Sequence, residues 1–149
     1  MAIPITVQRR TFLALVGIGL VTACTTTKSV APMETDIAQV IADKQMLIAD
    51  AINIMATSPE LTSALQTVIA QNQSHIAVLG NFVATVTPVP SNQPNAAVEL
   101  ADVASRCAVF STNHLVLACR SSDAEPSRVL AQIAASEMQH HALLTGLLI

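Results

Sequence analysis

The chain has few aromatic residues, few glycines and little charge. Of its 149 residues, three are Phe and none is Tyr or Trp, so it lacks the aromatic platforms on which single-stranded nucleic acids stack. Four glycines are too few for a β fold with many tight turns or for a phosphate-cradling loop. Charged residues make up 11%, and the formal net charge is −3, so a nucleic-acid partner is not expected.

Apolar residues are abundant instead, at 52% of the chain. Ala, Leu, Ile, Val, Gln and Ser dominate the composition, which suits packed helices, and the helical stretches show no competing β-type alternation. The length fits one domain. The sequence also lacks a Gly-x-Ser-x-Gly elbow, a CxxC motif and an HExxH motif, so we do not expect an enzyme that uses a side-chain nucleophile.

Residues 1–23 carry the features of an export signal. Arg9 and Arg10 precede an apolar run over 12–21, which is shorter than the ~20 residues that a membrane-spanning helix needs. The stretch 8–13 resembles a twin-arginine signal, and a Sec-type signal that happens to carry two arginines is the alternative.

The signal ends in small residues and a cysteine, Val21-Thr22-Ala23-Cys24. This segment resembles the lipobox of bacterial lipoproteins. The resemblance implies cleavage before Cys24 and attachment of diacylglycerol, with palmitate-type acyl chains, to its sulfur. Two chains are enough for stable anchoring. We therefore expect a lipid-anchored protein on the extracytoplasmic face of the cell membrane, with residues 24–33 as the lipidated Cys and its tether.

Pro, Gly and polar residues divide the remainder, 34–149, into helices. Breaks at 57–59, 88–95 and 121–123 leave segments 34–57, 59–87, 96–120 and 124–148. Ser58 and Asp123 are predicted helix N-caps, and Pro59 suits a first helical position. We predict an all-α fold, an antiparallel up-down-up-down four-helix bundle with one longer connection between the second and third helices.

Polar residues interrupt the apolar seams of this bundle near mid-helix. Seam positions recur every three or four residues, and they are apolar on the second and fourth helices except at one central pair each. A lone buried polar group costs on the order of 1–3 kcal/mol, so these groups should meet and satisfy one another. The predicted core polar layer contains Asn72, His75, His114, Glu137 and His140.

This pattern resembles the ferritin-like superfamily, in exported actinobacterial lipoproteins of mostly unassigned function. The resemblance rests on the four-helix layout and on residues 135–144, where Glu137-x-x-His140 places a carboxylate and an imidazole on one helical face. Di-metal members use two Glu-x-x-His motifs and two more Glu. Here Asn72 occupies the position at which the second motif requires Glu, so the resemblance implies a degenerate core polar layer that lacks part of the family's ligand set.

Three interpretations stay open at this point. One transition metal (iron, manganese or zinc) could bind His75, Glu137 and His140, with Asp43 as an extra ligand. Asp43 lies beside an apolar stripe that has Lys44 at one step. Alternatively, the layer only specifies packing, and the protein is a non-catalytic structural or interaction lipoprotein with an envelope protein as partner. A di-metal oxidase or storage unit, completed across a homodimer, is the weaker alternative.

Overall fold

The computed structural model describes residues 34–84 and 98–149, and all regular structure in these two ranges is helical. The all-α class predicted from the sequence is therefore confirmed for this part of the chain. The main helices are α1 (Glu34–Thr57), α2 (Thr62–Leu79), α3 (Leu100–Arg120) and α4 (Ala124–Gly146), and short 3-10 helices cover Pro59–Leu61 and Gly80–Phe82.

The predicted export signal, with Arg9 and Arg10, lies outside the described residues, as does the tether with Cys24. In the two described ranges, none of the helices is both long enough and apolar enough to cross a membrane.

The helix ends follow the breakers that the sequence marks. Asp123 caps α4, since its side chain accepts a hydrogen bond from the backbone N–H of Glu125 at 3.2 Å. Ser127 stabilises the α3–α4 turn, because its hydroxyl donates a hydrogen bond to the Ala118 carbonyl oxygen at 2.7 Å. Ser58 precedes the turn at Pro59, but its side chain makes no capping hydrogen bond, so that cap is only positional.

The core divides into two apolar clusters at opposite ends of the bundle. The proximal cluster lies at the end where α1 begins, and it contains Ile37, Val40, Ile41, Leu79, Ala118, Val129, Leu130 and Ile133. The distal cluster lies at the other end, and it contains Leu47, Ala51, Ile54, Leu65, Val68, Val103, Ala104, Cys107, Phe110 and Leu144.

These clusters also fix the helix directions. The start of α1 packs with the end of α2 and the end of α3, so both of those helices run against α1. The start of α4 lies in the same proximal cluster, and Leu144 near its end lies in the distal one, so α4 runs parallel to α1. In space α1 packs beside α2 and α3, and α4 packs beside α2 and α3.

The predicted up-down-up-down order is therefore wrong, because the chain runs up-down-down-up. Helix α2 ends in the proximal region, whereas α3 begins in the distal region. The sequence predicts a longer connection between α2 and α3, but the prediction still made these two helices antiparallel neighbours. The connection over 83–99 is long enough to span the bundle instead, since its 17 residues can reach more than 50 Å at ~3.3 Å each, against ~30 Å for a 20-residue helix.

Candidate functional site

Polar side chains occupy the level between the two apolar clusters. Asn72 on α2, His114 on α3 and both Glu137 and His140 on α4 are buried. The fifth residue predicted for the core polar layer, His75 on α2, is only partly buried, although its Nδ1 atom is inaccessible to solvent. The structure thus places the five residues at mid-helix on three helices, with His75 toward the surface.

Glu137 is the centre of this layer, and both of its carboxylate oxygens have partners. Oε1 accepts a hydrogen bond from the ammonium of Lys44, which reaches across the bundle from α1. Oε2 accepts a hydrogen bond from Nδ1 of His114 at 2.7 Å. The carboxylate therefore has a cation on one side and an imidazole N–H on the other. These two partners compensate its buried negative charge.

Lys44 is the member of the site that sequence reasoning missed. Its side chain is 0% exposed, as is that of Glu137. Burial lowers the pKa of Lys44, and the nearby carboxylate of Glu137 opposes that shift. The signal was present in the sequence, because Lys44 occupies one step of the apolar stripe of α1. A lysine in such a stripe indicates only an interruption, because the stripe does not show that the residue has a partner on another helix.

Asp43 and His114 meet between α1 and α3. Asp43 Oδ2 lies 3.6 Å from Nε2 of His114, which is an ion-pair distance but too long for a hydrogen bond. Burial by itself lowers the pKa of His114, but the carboxylates of Asp43 and Glu137 outweigh burial and raise it. Asp43 is 14% exposed, so this pair forms the α1–α3 edge of the site.

His140 lies on the other side of the site, between α4 and α2. Its Nε2 donates to Oε1 of Gln71 at 2.5 Å, and that same oxygen accepts from the Ser136 hydroxyl at 3.2 Å. Burial, together with the positive charge of Lys44, lowers the pKa of His140 to about 4. The ring is therefore neutral at pH 7, and since Nε2 carries the proton, Nδ1 carries a free lone pair.

His75, on the neighbouring helix α2, also has a lowered pKa. Burial is the main reason that its pKa falls to about 4, and the positive charge of Lys44 contributes. Asn72 turns its amide N–H group to its own helix, donating to the Val68 carbonyl oxygen at 2.9 Å. Within the described residues, four inaccessible side-chain atoms of this region have no hydrogen-bond partner: Asn72 Oδ1, His75 Nδ1, His114 Nε2 and His140 Nδ1.

The predicted metal ligands His75, Glu137 and His140 are not arranged around one ion. In residues 34–84 and 98–149, no group of three or more His, Cys, Asp or Glu side chains could hold a metal. The chemistry of Glu137 also opposes a metal, because each of its oxygens has a partner within the chain and one of these partners is the Lys44 ammonium. A divalent cation next to that ammonium would meet like-charge repulsion in a region of low dielectric. With Lys44 protonated, the residues present do not fit a metal ion.

A second buried ion pair, which the sequence did not indicate as a pair, lies toward the distal cluster. Asp50 on α1 is buried and bonds the guanidinium of Arg106 on α3, which is partly exposed. Burial raises the pKa of Asp50, while Arg106 acts in the opposite direction. His141 on α4 is partly buried and donates from Nδ1 to the Ala104 carbonyl oxygen at 2.8 Å. These contacts hold α3 to its two neighbours.

Comparison with known proteins adds no homologue to this picture. No protein-family model matches the chain, and neither the curated proteins nor the solved structures contain a significant match to it.

Proposed function

We propose that the chain is a membrane-anchored, ferritin-like lipoprotein of the cell envelope with a structural core polar layer that binds no metal. Its role is then non-catalytic, in envelope structure or in binding another envelope protein. The observation that carries the proposal is the buried ion pair of Glu137 with Lys44, with His114 on the second carboxylate oxygen. The carboxylate keeps unused lone pairs, but a metal cation there would be repelled by the adjacent ammonium.

Burial supports a non-catalytic role. Lys44, His114, Glu137 and His140 have at most 2% of their surface exposed. A substrate would have to separate the helices before it could touch any of these four side chains. Di-metal oxidase chemistry has even less support, since such sites use four carboxylates and this level of the bundle offers Glu137 and the partly exposed Asp43.

The ferritin-like part of the proposal is supported by helix order. Bundles of that type have one long crossover connection, and here α2 and α3 run in the same direction with 20 residues, 80–99, between them. The anchor is supported by the sequence 21–24 alone. With Cys24 ten residues before the start of α1, the lipid would lie at the proximal end of the bundle.

Metal analysis of the purified protein tests the proposal. The full chain is expressed in medium supplemented with Mn²⁺, Fe²⁺ and Zn²⁺ and purified without chelator, and bound metal per chain is measured. We expect no stoichiometric metal and a melting temperature that does not respond to added ions, because a ligand that binds only the folded state must raise stability. A stoichiometric ion that disappears in His140→Ala would instead establish the metal-binding alternative.

A further inference from the structure

The side of α3 that faces away from the core carries a row of exposed residues, which we call the α3 outer stripe. Its members lie three or four residues apart, a spacing that keeps side chains on one face of a helix. The stripe consists of Asp102, Ser105, Val109, Thr112, Val116 and Arg120, and all six are exposed. Its two apolar members leave much of their surface in water, since Val109 is 55% exposed and Val116 is 41% exposed.

An exposed methionine flanks this stripe on each side. Met46 on α1 is 38% exposed, and it lies one helical turn from both Asp43 and Asp50, whose side chains contact α3. Met138 on α4 is 46% exposed, and it lies one turn from His141, which bonds a backbone carbonyl of α3. Single exposed apolar residues are normal on a protein surface, but four of them around the middle of one helix form a patch of the kind that marks an interaction site.

The two ends of the stripe carry opposite charges. Within the part of the chain that the structure describes, neither Asp102 nor Arg120 makes a side-chain hydrogen bond or an ion pair. They are separated by about 27 Å along the helix, at 1.5 Å per residue. A two-fold axis through the level of Ser111, halfway between them, would place Asp102 of one copy opposite Arg120 of a second copy, and the reverse at the other end.

We propose that the α3 outer stripe is the interface of a homodimer in which the α3 helices of two copies pack antiparallel. The charges favour a second copy as the occupant, because the stripe is complementary to itself in this direction. A parallel pairing would instead bring like charges together at both ends. The inference goes beyond the proposed function and does not depend on it, since the stripe includes no residue of the core polar layer or of the segment 21–24.

The size of the face predicts how strong this dimer is. The face covers α3 and the near half of each neighbouring helix, so it is about 27 Å long and ~20 Å wide, on the order of 500 Å². A standard-size interface takes about 800 Å² from each partner. We therefore expect a reversible dimer whose population depends on protein concentration.

Sedimentation equilibrium of the full-length protein, in a density-matched detergent, tests the patch at the centre of the face. We expect the wild type to shift from one to two chains as its concentration rises, and Val109→Glu to remain a monomer because two carboxylates would enter the interface. Ile52→Glu is the matched control. Ile52 is 53% exposed and lies two residues from Asp50, so it points away from α3, and this variant should dimerise like the wild type.

Charge reversal tests the antiparallel arrangement. Asp102→Arg and Arg120→Asp each replace attraction by repulsion at both ends of the dimer, so each variant alone should dimerise about 10-fold or more weakly. An equimolar mixture of the two variants should recover the wild-type affinity as a heterodimer, because every end then pairs opposite charges. The double variant Asp102→Arg/Arg120→Asp should recover it as a homodimer.

Two results would overturn the proposal. A wild-type chain that stays monomeric at ~100 μM, well above the micromolar range, would leave the face to a different protein. A dimer that ignores Val109→Glu, or whose two charge-reversal variants do not recover on mixing, would show that the copies meet through another surface or in another direction. Neither result would bear on the absence of metal from the core polar layer.

Discussion

The Lys44–Glu137 pair gives the sharpest stability prediction. Replacing Lys44 by Met keeps an unbranched apolar side chain of similar length but leaves Glu137 charged in a site that has 0% exposure. Breaking a buried ion pair by removing one partner costs about 3–5 kcal/mol, because the other charge stays buried and uncompensated. At roughly 4 °C per kcal/mol for a domain of this size, the melting temperature should fall by about 12–20 °C.

A double-mutant cycle separates the pair from its surroundings. Glu137→Gln keeps the shape of the side chain and an oxygen that can accept the hydrogen bond from His114. The double variant Lys44→Met/Glu137→Gln therefore removes both charges and leaves the His114 ring with its hydrogen-bond partner. Replacing both members of a buried pair is often close to neutral. We therefore expect the double variant to recover most of the lost stability, with a coupling energy of about 2 kcal/mol or more.

Urea denaturation followed by far-UV circular dichroism measures these differences. Arg128→Met is the matched control, since it also removes a cation from an ion pair, with Glu125, but both partners there are exposed. We expect no measurable change in that variant, as for surface pairs in general. A loss of less than ~1 kcal/mol in Lys44→Met, or single-variant effects that simply add, would refute the account of a buried, mutually dependent pair.

Three further predictions follow from the fold, the site and the N-terminal segment. His140 has a pKa of about 4 in the folded chain against an ordinary 6.5, so the unfolded state binds more protons than the folded state between these two pH values. The stability contribution of the neutral ring is therefore present above pH 6.5, and the free energy of unfolding falls by roughly 3 kcal/mol as the pH drops through 4. The variant His140→Gln should reduce this loss when urea denaturation is measured as a function of pH. Leu130→Ala, in the proximal cluster with 0% exposure, should cost about 2–5 kcal/mol in the same assay, and a loss below 1 kcal/mol would show that this level is loosely packed. Cys24→Ser should move the protein from the membrane to the soluble fraction on cell fractionation, and full retention on the membrane would contradict lipid anchoring.

The helices were predictable because local signals define them. The segment 34–57 coincides with α1, and the Asp123 cap and the Pro59 turn lie where the sequence marks them. The second segment was predicted to run to 87, but α2 ends at Leu79 and a short 3-10 helix follows it. Helix ends depend on local breakers, and the breaker that the prediction overlooked is Gly80, which directly follows Leu79 and is the C-cap of α2.

The helix order and the partners within the layer were not predictable in the same way. Direction depends on whether the connection between α2 and α3 crosses the bundle, which its length permits but does not require. The pairing of Glu137 depends on which α1 residue lies opposite it, and an apolar stripe does not identify that residue. The sequence offers Asp43 as an acidic ligand on α1, whereas the structure shows that its neighbour Lys44 supplies the positive charge that pairs with Glu137.

The state of the Lys44 side chain is the most direct test of the central claim. Lysine-selective nitrogen labelling followed by NMR reports whether one amine is protonated, protected from exchange and hydrogen-bonded to a carboxylate. We predict one slowly exchanging ammonium signal at neutral pH that is absent in Lys44→Met and strongly shifted in Glu137→Gln. A Lys44 signal that exchanges as fast as a solvent-exposed lysine, or one that ignores the change at Glu137, would contradict the account.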